Sequence, residues 1–302
     1  MCSLTAMKDH QLKALVQVAD AGSIRAAARA MHLSQSALTK ALRELEEDVG
    51  AELLTRSYKG VVFTPAGQAL LARARLALAT LEKAREEVRL LRGGAGARIA
   101  VALTPLVAAT VLPRVLAEFR RIQPDAALSL EEGLLTNVVP GILEGRLDFA
   151  VALANAQDLP YEVDFERLAD IPAVPAGRIG HPLGGARTWA ELRGASWVLN
   201  LTGASQGSHL VNWLEANGID VPASTVRCAS PTLMLELMRR TDHIGFGPTV
   251  LVRDPIFGAG LQEFAVEPLP PPMTLGILSL RGVPLSVAAR PLAGLFARHL
   301  RN

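Results

Sequence analysis

The chain has 302 residues, of which 50% are hydrophobic, and its 31 basic and 29 acidic side chains give a formal net charge of +2. This length predicts more than one domain, and an aromatic content of only 4% argues against a stacking platform for single-stranded nucleic acid. The polar N-terminus lacks the apolar segment of a secretory signal, and no apolar run reaches the ~18 residues of a membrane span. Cys2 and Cys228 lie far apart in sequence, which favours reduced thiols, so we expect a cytoplasmic chain without a membrane partner.

The two ends of the chain differ in charge. Residues 1–97 carry 14 basic and 10 acidic side chains, whereas residues 98–302 carry 17 and 19. A mildly basic N-terminal part favours contact with phosphate groups, although an excess of this size is weak evidence by itself.

The stretch 22–56 predicts two short helices joined by a tight turn. Ser23 can cap a helix over about residues 24–31, and Ser34 can cap a second helix over about residues 35–47. One face of the second helix is apolar, and near the N-terminus its other face carries Gln35, Ser36, Thr39, Lys40 and Arg43. This pairing is the helix-turn-helix pattern, whose second helix enters the major groove of double-stranded DNA and reads bases with such side chains. The alternative is a helical hairpin that binds no ligand.

Several short motifs follow one another through this stretch and just beyond it. They are Gly22-Ser23, Ala26-Ala27-Ala28, Ser34-Gln35-Ser36-Ala37-Leu38-Thr39, Leu45-Glu46, Val49-Gly50, Leu53-Leu54-Thr55-Arg56 and Phe63-Thr64-Pro65-Ala66-Gly67. In order and spacing they resemble the DNA-binding module of the LysR-type transcriptional regulators. Ser36 and Thr39 depart from the residues common in the family, and both lie at expected contact positions, so the resemblance leaves the operator sequence open.

The resemblance implies a winged helix-turn-helix domain over residues 1–63. It implies a wing at residues 55–63, in which Arg56 and Lys59 contact DNA. We add the two cap residues to the candidate DNA contacts, which are then Ser23, Ser34, Gln35, Ser36, Thr39, Lys40, Arg43, Arg56 and Lys59.

Residues 64–92 predict one long helix. Thr64 can cap it, Pro65 suits its first position, and a Gly-rich segment ends it. Apolar residues recur in steps of four and three, as in a coiled-coil seam: Leu70, Ala74, Ala77, Leu81, Ala84, Val88 and Leu91. We interpret the helix as a dimerisation helix, which is also what the resemblance implies, and the alternative is an amphipathic helix packed on its own domain.

After a short hinge at residues 93–97, the predicted elements alternate between strands and helices. The strands are Ile99–Leu103, Ala127–Glu131, Phe149–Leu153, Trp197–Leu201, Thr225–Cys228, Ile244–Gly247 and Thr274–Leu280, and the helices are Val107–Ile122, Val138–Glu144, Ser208–Ala216, Leu233–Arg239 and Ser286–Leu300. Such alternation predicts parallel strands in a doubly wound α/β domain.

This part resembles the effector-binding region of the LysR family, a two-lobed fold similar to periplasmic binding proteins. The looser motifs that carry the resemblance are Gly145-Arg146-Leu147-Asp148-Phe149-Ala150, His181-Pro182-Leu183 and Gly245-Phe246-Gly247-Pro248. The resemblance implies a first lobe over residues 98–168 and 270–302 and a second lobe over residues 169–269. The Pro/Gly-rich segment 171–180 leaves the crossover between the lobes open.

Ligands of such folds bind at the carboxyl ends of strands between the lobes. Polar residues follow three predicted strands, and free amides at helix starts favour a carboxylate or similar anion. The candidate effector contacts are Thr104, Pro105, Asn200, Thr202, Gly203, Ala204, Ser230, Thr232 and Pro248. For each Ser or Thr the alternative is a simple helix cap.

We therefore expect a transcriptional regulator that binds promoter DNA and a small effector, with no enzyme activity, cofactor or metal. The resemblance implies dimers that assemble further into tetramers. One alternative is an α/β hydrolase, because Gly203-Ala204-Ser205-Gln206-Gly207 fits the nucleophile-elbow pattern, but no upstream oxyanion motif accompanies it. A ligand-binding module without DNA activity is the other alternative. The six histidines are scattered without the spacing of metal ligands.

Overall fold

The computed structural model describes residues 7–57, 60–94, 96–201 and 207–301, and at 56, 57, 60 and 208 it describes the backbone alone. The chain divides into two compact units. One unit is Met1–Gly94 with Leu143–Arg146, and the other is Ala95–Ile142 with Leu147–Asn302. Among the described residues, no helix is both long enough and apolar enough to span a membrane.

The first unit is a helix-turn-helix followed by a two-stranded wing and a long helix. In chain order its elements are α1 (Asp9–Ala21), α2 (Ile24–Ala30), α3 (Gln35–Val49), β1 (Leu54–Ser57), β2 (Gly60–Phe63) and α4 (Pro65–Leu91). The strands β1 and β2 pair antiparallel, with Leu54 opposite Phe63.

Hydroxyl side chains begin three of these helices. The hydroxyl oxygens of Ser23 and Ser34 accept hydrogen bonds from the backbone N–H of Ala26 at 3.2 Å and of Ala37 at 3.1 Å. Thr64 caps α4 in the same way. Each cap satisfies an amide that the first turn leaves unpaired, which is why the helices begin where the sequence predicts.

The core of the first unit joins all of its helices. It contains the buried side chains Ala14, Leu15, Val18, Ala27, Ala28, Leu38, Leu42, Leu45, Leu53 and Ala74. At the start of α4, Gly67 passes so close to the chain before β1 that an added Cβ would lie 2.1 Å from the Leu53 carbonyl oxygen. The Glu46 carboxylate accepts hydrogen bonds from the N–H groups of Leu53 and Leu54, at 2.8 and 3.1 Å, and so attaches the wing to α3.

The second unit is built from two sheets with helices packed beside them. In chain order its elements are β3 (Arg98–Leu103), α5 (Pro105–Thr110), α6 (Leu112–Ile122), β4 (Ala127–Glu132), α7 (Leu135–Leu143), β5 (Phe149–Leu153), β6 (Val163–Ile171), β7 (Ala173–Arg178), β8 (Ser196–Leu199), α8 (Gly207–Ala216), β9 (Val226–Arg227), α9 (Pro231–Arg240), β10 (His243–Pro248), α10 (Thr249–Val252), β11 (Leu261–Glu263), β12 (Met273–Leu280) and α11 (Ala289–Arg301). Short 3-10 turns lie at Ala156–Asp158 and Trp189–Leu192.

Both sheets are mixed, so the expectation of parallel strands is confirmed for only some of the pairs in each sheet. The first sheet has the order β4-β3-β5-β12-β6, in which β12 runs antiparallel to β5 and β6. The second has the order β11-β7-β10-β8-β9, in which β7 runs antiparallel to β10 and β11. Parallel pairing survives at β3 with β4 and β5 and at β8 with β9 and β10, where helices provide the crossovers.

Several boundaries differ from the expectations for physical reasons. The helix expected over Val107–Ile122 is two helices that meet at Val111, because Pro113 has no N–H to continue the hydrogen-bond ladder. The C-terminal helix begins at Ala289 rather than Ser286, whose hydroxyl caps it by accepting from Ala289 N–H at 3.1 Å.

The crossover left open at residues 171–180 consists of the end of β6 and all of β7. Ile171 still pairs with Met273 in the first sheet, and Ala173 already pairs with Pro248 in the second. The change of sheet therefore takes place at residue 172, a few residues beyond the position expected for it.

Candidate DNA-reading face and ligand cleft

The N-terminal half of α3 presents a polar, exposed face. Gln35, Ser36, Lys40 and Arg43 are exposed and Thr39 is half-buried, while Leu38 on the opposite face is fully buried. This is the arrangement in which a recognition helix packs on its own core and offers side chains to base edges.

Some of these polar groups are already held by local hydrogen bonds. The Thr39 hydroxyl donates to the Gln35 carbonyl at 2.8 Å, and the hydroxyls of Ser34 and Ser36 lie 3.0 Å apart. The Lys40 ammonium lies 3.7 Å from the Glu44 carboxylate on the next turn, and such an exposed pair is easily exchanged for another partner.

The remaining candidate DNA contacts have different positions. Ser23 and Ser34 act as helix caps, so their acceptor oxygens serve the first turns of α2 and α3. Arg56 lies on β1 of the wing, where the backbone alone is described, and Lys59 lies outside the described residues.

The apolar stripe of α4 falls into two parts. Ala74 is buried in the core of the first unit and Leu70 packs against it, as the alternative interpretation of this helix expected. Farther along, Ala77 and Ala84 are exposed, and the exposed fractions of the larger side chains are 47% for Leu81, 56% for Val88 and 81% for Leu91. The second half of the helix therefore presents an apolar stripe that is exposed among the described residues.

A cavity of about 480 Å³ lies between the two sheets of the second unit. Residues at the carboxyl ends of strands β3 and β8 and at the start of helix α9 contribute to it. Apolar residues make up most of its wall, including Leu106, Leu134, Leu135, Leu153, Leu199, Leu210, Met234, Leu235, Met238, Phe246, Leu251, Val252, Phe257, Leu261 and Met273.

The structure brings some of the predicted effector contacts to this cavity. Thr104, Pro105, Asn200 and Pro248 line it. Ser230 caps α9 by accepting from Leu233 N–H at 3.4 Å, and neither it nor the exposed Thr232 is among the lining residues. The candidates Thr202, Gly203 and Ala204 lie outside the described residues.

Thr104 differs from an ordinary cap residue. It is 4% exposed and precedes α5, yet its side chain makes no cap hydrogen bond. Among the described residues its hydroxyl oxygen has no hydrogen-bond partner. A buried hydroxyl without a partner costs free energy, so a group that enters the cavity and bonds to it would be stabilised.

Polar side chains from both sheets meet beside the cavity. The His209 ring nitrogen Nε2 lies 2.6 Å from an Asp158 carboxylate oxygen and 3.1 Å from the Asn155 amide nitrogen. Asn155 and Asp158 follow the first sheet's β5, whereas His209 lies on α8 beside the second sheet. No sequence signal indicated this contact, because more than fifty residues separate the partners along the chain.

The apolar wall was also missed by the sequence analysis. Phe246 lines the cavity and stacks on Trp197 and Trp189, with ring centroids 5.7 and 6.2 Å apart. Met234 and Met238 on α9 supply flexible side chains beside it. The signal was present as the spacing of four between these methionines, but that spacing is equally typical of a core helix.

The Arg239 guanidinium does not line the cavity but contacts a residue that does. It donates to the carbonyl of the lining residue Phe257 and pairs with Glu236 at 3.0 Å. Hydrogen bonds from Arg240 and then Arg239 hold the pKa of the Glu236 carboxyl below its ordinary value. Glu236 therefore stays ionised at neutral pH and pairs with both Arg239 and Arg240.

An α/β hydrolase would also need an Asp and a His that follow Ser205 in the chain. Three residues of these types have other partners. Asp242 pairs with Arg178 at 2.8 Å, and the His243 ring lies 2.7 Å from the Thr241 hydroxyl. His299 pairs with Glu118 at 2.6 Å, and Ser205 lies outside the described residues. Among the described residues, no group of three His, Cys, Asp or Glu side chains is arranged to hold a metal ion.

Comparison with known proteins gives relatives over nearly the whole chain. The transcriptional regulator TdcA of Escherichia coli (strain K12) is 27% identical over 269 residues, which is 89% of this chain and 85% of that protein. The activator HcaR of the same strain is 32% identical over 194 residues, or 64% of each chain. The crystal structures of CbnR and of ArgP from Mycobacterium tuberculosis share the fold, each with a TM-score of 0.69 at 20% identity. CbnR covers 98% of this chain and all of its own, and ArgP covers 96% of each.

Two family models together account for both units. The model of the bacterial regulatory helix-turn-helix protein, lysR family, matches residues 10–68, and that of the LysR substrate binding domain matches residues 92–301. The first match contains the recognition helix and the wing, and the second contains both sheets that border the cavity. The chain therefore belongs to the LysR family of DNA-binding transcriptional regulators, which join a helix-turn-helix to a domain for small-molecule effectors.

Proposed function

We propose that a small molecule bound in the cavity between the two sheets controls promoter binding by the exposed face of α3. The cavity carries this proposal, because it is large, lies between two sheets and contains a buried hydroxyl without a described partner. Family membership makes the chain a regulator rather than a hydrolase.

In this proposal Gln35, Ser36, Thr39, Lys40 and Arg43 contact DNA from the major groove. A glutamine amide can bond in two places to adenine, and the two cations attract phosphates or guanine. Arg56 and Lys59 of the wing contact DNA at the groove edge. Ser23 and Ser34 act first as caps, and a phosphate contact would use their remaining hydroxyl protons.

Two copies of the chain pair through the exposed second half of α4. Leaving Leu81, Val88 and Leu91 in water costs free energy, and burying them against a second helix recovers about 25 cal/mol for each Å² of apolar surface. A pair of chains presents two recognition helices to two half-sites, and further assembly into a tetramer would present four. A promoter-binding role places the protein in the cytoplasm with the nucleoid.

The effector acts by preferring one arrangement of the two sheets. A ligand that contacts both walls stabilises the arrangement in which both walls reach it, and so shifts the population. The His209–Asp158 contact spans the same two sheets and would form or break with that shift. In this proposal residues 1–63 bind DNA, residues 64–92 form the dimerisation helix and residues 93–97 form the hinge. With the sheet crossover at residue 172, residues 98–171 and 270–302 form one lobe, and residues 173–269 form the other.

The test measures effector binding and DNA binding separately. A thermal-shift screen on the full chain identifies a ligand, and DNase footprints then compare the promoter complex with and without it. We expect the footprint or the DNA bend to change with ligand. Gln35→Ala should reduce discrimination between specific and nonspecific DNA by about 1–3 kcal/mol, while the ligand still raises its melting temperature.

A cavity-filling change provides the opposite control. Met234→Trp should abolish the ligand-dependent change in the footprint because the side chain occupies the ligand's space. A saturating ligand that left both footprint and bend unchanged would contradict the proposed regulation.

A further inference from the structure

We infer that the ligand of this cavity is an uncharged molecule with an apolar body and one hydrogen-bonding head group, and that the head group binds the Thr104 hydroxyl. The inference rests on the proposed function, since it specifies the chemistry of the same cavity. It differs from the anion that helix N-termini favoured in the sequence.

The first observation concerns the charge of the side chains that line the cavity. Among the described lining residues there is no Lys, Arg, Asp or Glu, and His209 is the titratable side chain. Residues 202–206 lie outside the described residues, and their sequence, Thr-Gly-Ala-Ser-Gln, contains no charged side chain. Arg239 is not among the lining residues, and its guanidinium is paired with Glu236, which Arg240 also contacts.

The His209 ring lies 2.6 Å from the Asp158 carboxylate, so a positive charge on that ring would already face an acidic partner. An anion would therefore enter without an unpaired cation to compensate its lost hydration. Moving an ionised carboxylate out of water without a paired charge is far more costly than moving a hydroxyl. The helix that follows Thr104 spans only six residues. The longer helices α8 and α9 also begin at the cavity, with Gly207 and Pro231, but a helix N-terminus carries only a partial charge and does not replace a cation.

The second observation is the character of the walls. Leucines, methionines and Phe246 surround the cavity, and an apolar body gains free energy from each contact that replaces water. Methionine side chains adapt to irregular shapes, which suits an aromatic ring or a branched hydrocarbon.

The third observation fixes the head group. The Thr104 hydroxyl is buried beside the cavity, can donate or accept, and has no described partner. Asn200 lines the same space. A single alcohol, carbonyl or amide on the ligand satisfies Thr104, whereas a pure hydrocarbon leaves it unpaired.

Three probes that share a ring and differ in their head group test this inference: benzyl alcohol, toluene and benzoate. The protein provides its own reporter, because its three tryptophans include Trp189 and Trp197, which stack on Phe246 of the wall. Each probe is titrated into the full chain with excitation selective for tryptophan, and calorimetry checks the affinity.

We expect benzyl alcohol to bind about threefold to tenfold more tightly than toluene, the usual value of one hydrogen bond. Benzoate should bind at least about tenfold more weakly than benzyl alcohol. Thr104→Val should reduce the affinity for benzyl alcohol to that for toluene. Thr225→Val is the matched control, because the Thr225 hydroxyl is also buried without a described partner but does not line the cavity.

Tighter binding of benzoate than of benzyl alcohol would overturn the inference, as would unaltered benzyl alcohol binding by Thr104→Val. Failure of both uncharged probes to bind at millimolar concentration would overturn it too. The proposed function fails separately: if benzyl alcohol binds as expected but no bound ligand alters the promoter footprint, the ligand class stands and the regulation does not. If benzoate binds and alters the footprint, the regulation stands and the ligand class fails.

Discussion

The two proposed binding regions of this chain have surfaces of contrasting character. The face of α3 that we assign to DNA is convex, polar and exposed, and its candidate residues lie within nine positions of one another. The cavity is concave and apolar, and residues from Thr104 to Thr274 line it. The first can compete with water only through charge and hydrogen bonds, whereas the second gains from releasing water.

Because of this difference, we expect salt concentration to affect DNA binding and ligand binding differently. Binding to DNA releases counterions and should weaken steeply as salt is added. Binding of an uncharged ligand to an apolar cavity involves no counterions and should respond little to salt. The same salt titration therefore separates the two events on one protein.

The largest expected effect comes from the buried face of the recognition helix. Leu38→Ala removes a fully buried side chain from the core of the first unit and should lower its free energy of unfolding by about 2–5 kcal/mol. Arg43→Ala, on the exposed face of the same helix, should change it by less than about 0.5 kcal/mol.

Two optical signals sharpen this comparison between the units. All three tryptophans lie in the second unit, so their fluorescence follows the unfolding of that unit, while circular dichroism also follows the helices of the first. Leu38→Ala should shift the dichroism transition and leave the fluorescence transition nearly in place. Equal shifts of both signals would mean that the two units do not unfold separately.

The exposed stripe of α4 departs from the simple contrast, since it is an apolar surface outside any cavity. Introducing two charges by Leu81→Glu with Val88→Glu should convert dimers to monomers in light scattering. Promoter affinity should then fall by about a hundredfold, because the second half-site no longer binds as part of the same particle. Ala72→Glu adds a charge at an exposed position off the stripe and should leave the mass unchanged. A dimeric double variant would contradict our assignment of the stripe.

The smallest expected effect is on the stability of the second unit, to which the contacts of Glu118 with α11 contribute. Hydrogen bonds from His299 and charge from Arg298 on α11 hold the pKa of Glu118 on α6 below its ordinary value of 4.5. A lowered carboxyl pKa stabilises the fold above the ordinary value, and that stability is lost as the pH falls through the lowered pKa. Glu118→Gln should therefore melt slightly below the wild type at pH 7, and the difference should disappear in acid.

An exposed carboxylate provides the control for that experiment. Glu131→Gln removes the same charge from the edge strand β4. A Glu118→Gln difference that persisted unchanged below pH 4.5 would show that the carboxyl acts through its shape rather than its charge.

The sequence predicted the first unit well because its signals are local. Ser23, Ser34 and Thr64 each cap a helix that begins at the next residue, so a few adjacent residues determine each boundary. The antiparallel partners of β12 are the strands β5 and β6, more than a hundred residues earlier, and no local pattern encodes such pairing. From the sequence, only the polar residues that follow predicted strands indicated where the ligand site lies. The apolar wall was not predicted, because residues such as Met234 and Phe246 are equally typical of a protein core.

The close approach of Gly67 to the Leu53 carbonyl has a mechanical consequence. No side chain separates α4 from the segment that leads into the wing, and the Glu46 carboxylate ties that same segment to α3. The Arg75–Asp20 ion pair adds a link between α4 and α1. We therefore expect α4 and the recognition helix to move together as one rigid piece. A change in the crossing angle of two paired α4 helices would then alter the distance between their two recognition helices. The spacing of the DNA half-sites that the dimer can bind would change with it.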